Sequence, residues 1–570
     1  MLRFALAVIA VLLVHPESRA QARNPIPPPL SAATAQFFKS HPTAWRQFLM
    51  QLPQRPTGAP ASPEIAPAAE GTWTAVTTAP ASGLSNPLLL TDGTVLVHES
   101  ETPDWYKLTP DITGDYALGS WSRIASLPVI DGTQYEPLYF ASAVLPDGRV
   151  IIMGGEYNGS GGTVWISMGA IYDPAADMWT AVSPPAGAGW TRSGDSGGIG
   201  DAPSIVLPDG TFLLGGCCAD PDVDALFDAA TLSWSSTGAP LGDTYQDEQG
   251  YVLLPTGEVL TIDVWDPPNA EVYRPDAGVW SRIAAPPVAL PDPCGLGEIG
   301  PALTRSDGTV VAFGGNTGCN GQADPTAIYD AANRSWKRGP DVPAACGPGG
   351  TENCTLADAP AALLPNGNVL FAASAGAYNS PTHFFEFTGG NAIRQVPDTR
   401  FFAGSSSSYF YNFLVLPSGQ VLETDFSSTP ELYTPSGAAA SGRRPVIASV
   451  PHALAPGQTY RIAGTQMNGL SQGAAYGDDA EGATNYPIVL IVNSATGHHF
   501  FAKTSRSSTT SIAPGTGSTA KFAVAPATET GPGILYVIAN GVASTGVEVT
   551  VGTGFPLSLS ESGSGTVTSA

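Results

Sequence analysis

The chain has 570 residues, a formal net charge of −25 at pH 7 and 43% hydrophobic residues. So acidic a protein is a poor partner for nucleic acids and anionic membranes, and its hydrophobic content excludes wholesale disorder. The 65 Gly and 53 Pro residues are typical of an all-β protein with many turns.

The N-terminus carries a targeting signal. Within residues 1–20, Arg3 precedes the apolar run FALAVIAVLLV, and small residues follow at Ser18 and Ala20. This pattern predicts a cleavable secretory signal peptide, and therefore a secreted or periplasmic protein. The apolar run is too short to span a membrane, and we predict no membrane span elsewhere. Residues 21–70 form a Pro/Ala-rich extension, in which TAQFFKSHPTAWRQFLMQL predicts one short helix.

A sequence phrase that recurs four times defines the repeat unit. In each copy a Trp follows an aromatic residue by seven positions: YDPAADMW from Tyr172, FDAATLSW from Phe227, YRPDAGVW from Tyr273 and YDAANRSW from Tyr329. A hairpin turn and a hydrophobic strand precede each copy, as in LPDGRVIIMGG. Gly supplies the positive φ that such a turn requires. A period near fifty residues with four strands per unit predicts kelch-type propeller blades.

Three weaker copies of the turn bring the predicted blade count to seven. The turn residues are Asp92, Asp147, Asp209, Thr256, Asp307, Asn366 and Ser418. The last copy continues to Tyr433 without a closing Trp strand, whereas GTWTAVTTAP around Trp73 resembles DMWTAVSPP around Trp179. We therefore predict an all-β fold, a seven-bladed kelch β-propeller over residues 71–443, closed by an N-terminal strand at Trp73.

The repeat stops near Arg444. From RPVIASVPHALAPGQTYRIAGT to GILYVIANGVASTGVEVTV, short alternating strands are separated by Gly and Pro turns. This pattern predicts an immunoglobulin-like β-sandwich over residues 444–552. Residues 553–570 are rich in Ser, Gly and Thr, which predicts a flexible tail.

Six Cys in a chain with a signal peptide favour disulfide bonds over metal thiolates. The predicted pairs are Cys346 with Cys354, Cys294 with Cys319 and, by elimination, the adjacent Cys217 with Cys218, which are otherwise two free thiols.

The signal peptide, the seven-bladed kelch ring and the C-terminal sandwich together resemble the galactose oxidase and glyoxal oxidase family. Residues 468–492, NGLSQGAAYGDDAEGATNYPIVLIV, are similar to the early-set domain that ends those proteins. The resemblance covers nearly all of the mature chain. It implies one copper ion held by two His and two Tyr, with one Tyr crosslinked to a Cys.

Several positions that match the family's copper ligands hold other residues in this chain. Leu84 stands in place of the crosslinked Cys, Phe410 in place of one His, and Ser505 near the place of the other His. Tyr139 and Tyr409 match the two tyrosine ligands. Copper(II) favours imidazole ligands, so we expect no radical-copper centre and no metal ligands of that kind.

The position eight residues before each turn residue recurs once per blade, so its side chains should converge on one mouth of the central channel. In blade order these residues are Leu84, Tyr139, Asp201, Glu248, Ile299, Asp358 and Phe410. Close neighbours in sequence add Glu136, Asp247 and Glu298. Several carboxylates facing one concavity are costly, because like charges raise each other's pKa and resist burial.

Three interpretations of this acidic ring stay open. In the first, Glu248 is the acid or base of a glycoside hydrolase or polysaccharide lyase, with Asp201 or Asp358 as its partner. In the second, the same three carboxylates bind Ca²⁺. In the third, each carboxylate only accepts backbone N–H bonds from the neighbouring blade.

The catalytic interpretation also assigns roles to the surrounding residues. Tyr139 and Tyr409 complete the predicted catalytic set on the opposite arc of the mouth. The predicted substrate-binding residues are Glu136, Glu298, Tyr157 and Phe410, of which Tyr157 stands in for the stacking aromatic of the resembling family.

The sequence thus predicts a secreted, galactose oxidase-like kelch propeller that binds or cleaves a carbohydrate at an acidic channel mouth. Two alternatives remain, a non-catalytic kelch protein that binds another extracellular ligand or a protein, and a copper radical oxidase of an alcohol or aldehyde. Beyond a possible Ca²⁺ we predict no cofactor. The oligomeric state is not predicted.

Overall fold

The computed structural model describes residues 71–552, apart from 160–164, 188–189, 191–197, 219–222, 243–245, 318–320, 344–345, 347–352, 402, 438 and 478–481. The predicted signal peptide (1–20), N-terminal extension with its helix (21–70) and tail (553–570) lie outside the described residues. No helix in the described ranges is long and apolar enough to cross a membrane.

Seven antiparallel sheets, each with four blade strands, form the blades of a β-propeller, as predicted, and the sheet of blade six gains two further short strands. From inner to outer strand, blade one consists of Leu84–Leu89, Val95–Glu99, Trp105–Thr109 and Ser120–Arg123, and blade two of Ala141–Val144, Val150–Met153, Gly169–Asp173 and Met178–Ala181. Blade three consists of Ser204–Val206, Phe212–Gly215, Asp224–Asp228 and Ser233–Thr237, and blade four of Val252–Leu253, Val259–Ile262, Ala270–Arg274 and Val279–Arg282. Blade five consists of Ala302–Thr304, Thr309–Phe313, Thr326–Asp330 and Ser335–Arg338, and blade six of Ala361–Leu363, Val369–Ala375, Thr382–Phe387 and Ile393–Val396. Blade seven consists of Asn412–Val415, Val421–Thr424, Glu431–Thr434 and the N-terminal strand Thr72–Ala75. The inner strands of neighbouring blades contact one another around the central axis.

Short elements lie between the blades. They are the strand pairs Val129–Ile130 with Thr133–Gln134 and Pro137–Leu138 with Tyr157–Asn158, the strand Cys354–Thr355, which pairs with Val369–Ala375, and the 3₁₀ helices Ser408–Phe410 and Ser441–Arg443.

The N-terminal strand closes the ring. Thr72–Ala75 pairs antiparallel with Glu431–Thr434 and places Trp73 directly opposite Tyr433, which confirms the predicted closure. The Trp73 indole N–H donates to the Pro397 carbonyl oxygen at 2.7 Å. The Trp73 ring also contacts Phe384 edge-on at 5.0 Å between ring centroids. The strand covers the edge of Glu431–Thr434 and gives the last blade its fourth strand.

The repeated aromatic and Trp residues face each other across the two outer strands of a blade. In each of the four strong copies the pair is in direct cross-strand register, and the ring centroids are 4.9 to 5.4 Å apart. The seven-residue spacing therefore places one aromatic cross-strand pair in each of these four blades. Such pairs stabilise a sheet.

The hairpin turns contain the predicted left-handed Gly, and the Asp before it accepts a backbone hydrogen bond. In blade three, Oδ1 of Asp209 accepts the Thr211 N–H at 3.0 Å, and Gly210 has a φ of 90°. Blade two repeats this with Asp147 and Gly148, whose φ is 87°. The Asp side chain and the left-handed Gly together fix the register of the two inner strands.

Eight strands beyond the propeller form a second all-β unit with its own buried core. In order of pairing they are Val446–Ser449, Thr459–Thr465, Gly517–Ala523, His499–Ser505, Ile488–Asn493, Gly531–Ala539, Val547–Val551 and Ala453–Leu454, with Val542–Ala543 attached to Gly531–Ala539. We call this the C-terminal unit. Its description as an immunoglobulin-like sandwich, like the predicted domain boundaries, stays a prediction.

One loop of the C-terminal unit enters the propeller channel. We call residues 470–477 and 482–486 the channel segment. Gln472 Oε1 accepts the Leu253 N–H of blade four at 2.8 Å, and Ala474–Ala475 pairs with the inner strand of blade six. Since the C-terminal unit also contacts hairpin turns, for example where the Thr510 hydroxyl donates to Leu207, the channel segment enters from the turn end.

The predicted disulfide bonds are present wherever both cysteines of the pair are described. Cys346 is bonded to Cys354 and Cys217 to Cys218, as predicted. Cys294 is also disulfide-bonded, and its predicted partner Cys319 lies outside the described residues.

We expect Trp73→Ala to destabilise the whole propeller, because it removes a buried indole from the strand that closes the ring. Truncation of a buried Trp costs about 3 to 5 kcal/mol, and thermal unfolding should show this as a lower Tm. Val129→Ala is the control, since Val129 is 61% exposed, and such changes stay within about 0.5 kcal/mol. A Tm equal to that of the wild type would mean that the strand is not needed for closure.

We also expect a buried carboxyl to make stability depend on pH. Burial raises the pKa of Asp324 from 3.8 to about 7, although its oxygens accept the Leu356 and Asn316 backbone N–H groups. The folded state therefore binds a proton that the unfolded state has lost. This contribution is complete below pH 3.8 and disappears as the pH rises through about 7.

The wild-type Tm should thus fall more steeply between pH 5 and 8 than the Tm of Asp324→Asn, whose side chain cannot ionise. Asp307→Asn changes an exposed turn residue and should follow the wild-type slope. Burial lowers the pKa of His98 to about 4, which has the opposite effect on stability, but it is common to all three proteins and cancels in the comparison. Parallel slopes for wild type and Asp324→Asn would contradict the assignment.

Candidate functional site

Three residues at the predicted repeat position have a left-handed backbone. The φ angles of Tyr139, Glu248 and Asp358 are 50°, 63° and 51°, and each residue lies a few positions before the inner strand of its blade. Residues other than Gly rarely adopt this conformation, and it persists only where the surrounding structure imposes it. Hydrogen bonds hold two of the bends, from Asp358 N–H to Ile299 O and from Glu156 N–H to Tyr139 O. Such strain is typical of functional sites.

Glu248, Glu298 and Asp358 form an acidic group at the channel mouth. One carboxylate oxygen from each lies within 4.8 Å of those of the other two. Glu248 and Glu298 are buried, and the Tyr378 hydroxyl donates a hydrogen bond to Glu298. Like charges at this spacing repel one another, so this arrangement is costly to hold together. The sequence analysis predicted Glu298 only as a substrate contact, whereas the structure places it within the acidic group.

Asp201 belongs to a second group, with Asp247 and the Cys217–Cys218 disulfide. The Cys217 sulfur lies 3.5 Å from Oδ1 of Asp247. The structure thus brings Glu248 and Asp358 together and groups Asp201 with other residues.

An unbroken series of aromatic contacts lines the mouth beside the acidic group. The ring centroids are 6.2 Å apart for Tyr157 and Tyr139, 6.5 Å for Tyr139 and Phe426, 5.4 Å for Phe426 and Phe410, 4.2 Å for Phe410 and Tyr409, and 5.2 Å for Tyr409 and Tyr378. Through Tyr378 the series reaches the acidic group. We call these six residues the aromatic arc. Burial, together with the charges of Asp358 and Glu156, raises the pKa of Tyr409 well above its usual value, so this phenol stays protonated.

Sequence reasoning missed Tyr378 and Phe426. Both have a left-handed backbone, with φ of 61° and 62°. They follow the second strands of blades six and seven, whereas the repeat argument counted only residues that precede the first strands. A signal existed for Phe426, which lies eight residues after the turn residue Ser418.

Glu136 lies beside the aromatic arc. Its backbone N–H donates to Asn158 Oδ1 at 2.7 Å, and its carboxylate packs against Gly159, where a Cβ would lie 2.2 Å from Oε2. Both contacts tie Glu136 to the loop that carries Tyr157.

The channel segment forms the floor of the site. The Tyr476 hydroxyl donates to the Tyr409 carbonyl oxygen at 2.7 Å. Gly477 packs against Asp358 so closely that a Cβ would lie 2.9 Å from the Asp358 Cα. The cavities beside Tyr476 and beside Gly477 measure about 10 Å³ each, room for no more than a single water.

The donor set does not fit the copper centre that the family resemblance implies. Leu84 is a buried strand residue, and Phe410 is part of the aromatic arc. Ser505 ends a strand of the C-terminal unit and pairs with Lys521. The channel segment does reach Tyr409, and the residue that contacts Tyr409 there is Tyr476. Among the described residues, neither cluster of metal-binding side chain types includes a His.

No protein-family model matches the chain, and no curated protein matches it. Among solved structures it is similar to the extracellular domain of a hybrid two-component system from B. thetaiotaomicron, with 10% identity and a TM-score of 0.40. The match covers 84% of this chain and 59% of that structure.

We expect the protein to form no tyrosyl radical with copper. After incubation with Cu²⁺ in air, the mature protein should show no tyrosyl-radical absorption band and produce no hydrogen peroxide from alcohols or aldehydes. The reason is that Phe410 and Ser505 occupy the positions where the family resemblance places the two His ligands, and Cu²⁺ favours imidazole. A radical band accompanied by peroxide production would overturn this assignment.

Proposed function

We propose that this chain is a secreted, galactose oxidase-like kelch propeller that binds a carbohydrate at the channel mouth without a radical-copper centre. The observation that carries the proposal is the acidic group Glu248, Glu298 and Asp358 beside the aromatic arc. Sugars present apolar C–H faces that stack on aromatic rings, and hydroxyl groups that donate to carboxylates. In this proposal the C-terminal unit is an early-set, immunoglobulin-like domain whose channel segment forms the floor of the site.

The spacing of the carboxylates is compatible with binding and with hydrolysis. Retaining glycosidases hold their two carboxyl groups about 5 to 5.5 Å apart, and inverting ones about 6.5 to 9.5 Å apart. One oxygen of each carboxylate in the acidic group lies within 4.8 Å of one oxygen of each of the others, a separation near the retaining range. Product analysis therefore accompanies the binding measurement.

Cation binding at the same group is the second candidate function. Ca²⁺ takes carboxylate oxygens from several side chains at once, and three such oxygens within 4.8 Å are compatible with a shared ion. A bound Ca²⁺ would neutralise the acidic group and offer coordination positions to sugar hydroxyls. Isothermal titration with CaCl₂ alone, in the absence of any sugar, distinguishes this candidate from direct binding of a sugar.

We expect Glu248→Gln to weaken sugar binding at least tenfold, with little change in Tm. The substitution keeps the shape of the side chain and removes its charge from the acidic group. Binding is measured by calorimetry with neutral, amino-sugar and uronate oligosaccharides, and product analysis on the same panel reports any cleavage.

Glu258→Gln is the matched control, because Glu258 belongs to the same blade and forms an ion pair with Arg334 outside the acidic group. It should leave sugar binding unchanged. If Glu248→Gln instead lowers the Tm markedly while binding persists, the carboxylates are structural and the proposal fails.

A further inference from the structure

We propose that Asn333 is the acceptor of an N-linked glycan, attached when the chain passes through a eukaryotic secretory pathway. Asn333, Arg334 and Ser335 form the triplet Asn-x-Ser, which marks such acceptors in secreted proteins. The proposal goes beyond the proposed function and does not depend on sugar binding at the channel mouth.

The chain contains three triplets of this kind, which begin at Asn158, Asn333 and Asn353. So short a pattern recurs by chance, and its presence alone identifies no site. A glycan is bulky and lies on the surface, so its acceptor must reach solvent in the folded protein. The three Asn residues differ in this respect, and the difference selects one of them.

Asn158 and Asn353 are poor acceptors. Asn158 is buried, its Nδ2 donates to the Gln134 carbonyl oxygen at 3.0 Å, and its Oδ1 accepts the Glu136 N–H at 2.7 Å. A glycan on Asn158 would break these contacts. Asn353 is half-buried and directly precedes Cys354, a buried disulfide cysteine, so it is less accessible than a residue in an exposed turn.

Asn333 lies in the turn between the two outer strands of blade five, and residues 332–335 are all exposed. Its Nδ2 donates a hydrogen bond to Oδ2 of Asp330 at 2.8 Å. An amide nitrogen carries two hydrogens, and glycosylation replaces one of them. The other hydrogen can keep the bond to Asp330, so this turn accepts a glycan without losing the contact.

The turn that carries Asn333 lies at the end of the ring away from the channel mouth. Successive strands of a blade are antiparallel, so the turn between the third and fourth strands lies at the same end as the first hairpin turn. The ion pair between Arg334 and Glu258 agrees with this, because Glu258 lies two residues after the turn residue Thr256 of blade four. A glycan on Asn333 therefore leaves the mouth open.

The donor for this modification is a lipid-linked oligosaccharide diphosphate. A bond forms between Nδ2 of Asn333 and C1 of the first sugar, and the bond from C1 to the diphosphate oxygen breaks. The electron pair of that bond leaves with the lipid diphosphate, and the amide releases one proton. The transfer needs no oxidant or reductant.

The test is peptide mass spectrometry of residues 21–570 secreted from yeast behind a yeast leader. Enzymatic release of N-glycans in heavy-oxygen water converts each glycosylated Asn into an Asp that carries the heavy oxygen. We expect this label at Asn333 in most molecules, and no label at Asn158 or Asn353.

Variants of the turn separate recognition of the triplet from other effects. Asn333→Gln removes the acceptor and Ser335→Ala removes the hydroxyl of the triplet, so each should abolish the glycan. Ser335→Thr keeps a hydroxyl and should retain the glycan. Ala332→Ser is the control, because it changes the exposed neighbour of Asn333 and leaves the triplet intact.

An unlabelled Asn333 in the secreted protein would overturn the proposal, as would a glycan at Asn158 or Asn353 in its place. Retention of the label in Ser335→Ala would also contradict it. None of these variants alters the channel mouth, so sugar binding measured on the same samples tests the proposed function separately.

Discussion

Ring closure by the strand Thr72–Ala75 is the interaction on which the rest of the structure depends. Its pairing with Glu431–Thr434, anchored by Trp73, turns a row of blades into a closed ring. Only in a closed ring do all the inner strands surround one axis. Side chains at equal offsets from the turns then meet at one mouth, and strained left-handed bends can direct carboxylates at each other instead of into solvent.

The fold could be predicted because the blades share short-range rules. A turn residue followed by Gly forms each inner hairpin, with Asp as the turn residue in four of the seven, and an aromatic residue lies opposite a Trp on the outer strands of five blades. The site was only partly predictable, because the repeat offset gives the height of a residue but not the direction of its side chain. Glu248 and Asp358 adopt the left-handed bend themselves, whereas in blade three the bend falls on Gly200, with a φ of 58°, one residue before Asp201. This shift accounts for the separate grouping of Asp201.

The remaining site residues follow the second strands, which return the chain to the same mouth. Cys217 and Phe426 each lie eight residues after their turn residues. Counting forward as well as backward from each turn would have found them. Tyr378 lies twelve residues after its turn, and Tyr476 comes from outside the repeat, so no periodic signal marks either residue.

The channel segment closes the site on the side of the hairpin turns. Tyr476 and Gly477 pack against Tyr409 and Asp358, so protein lies behind the acidic group on that side. Of the three carboxylates, Glu298 is fully buried, Glu248 is 3% exposed and Asp358 is half-buried. In the proposed function, a sugar at the mouth therefore meets Asp358 and the aromatic arc first.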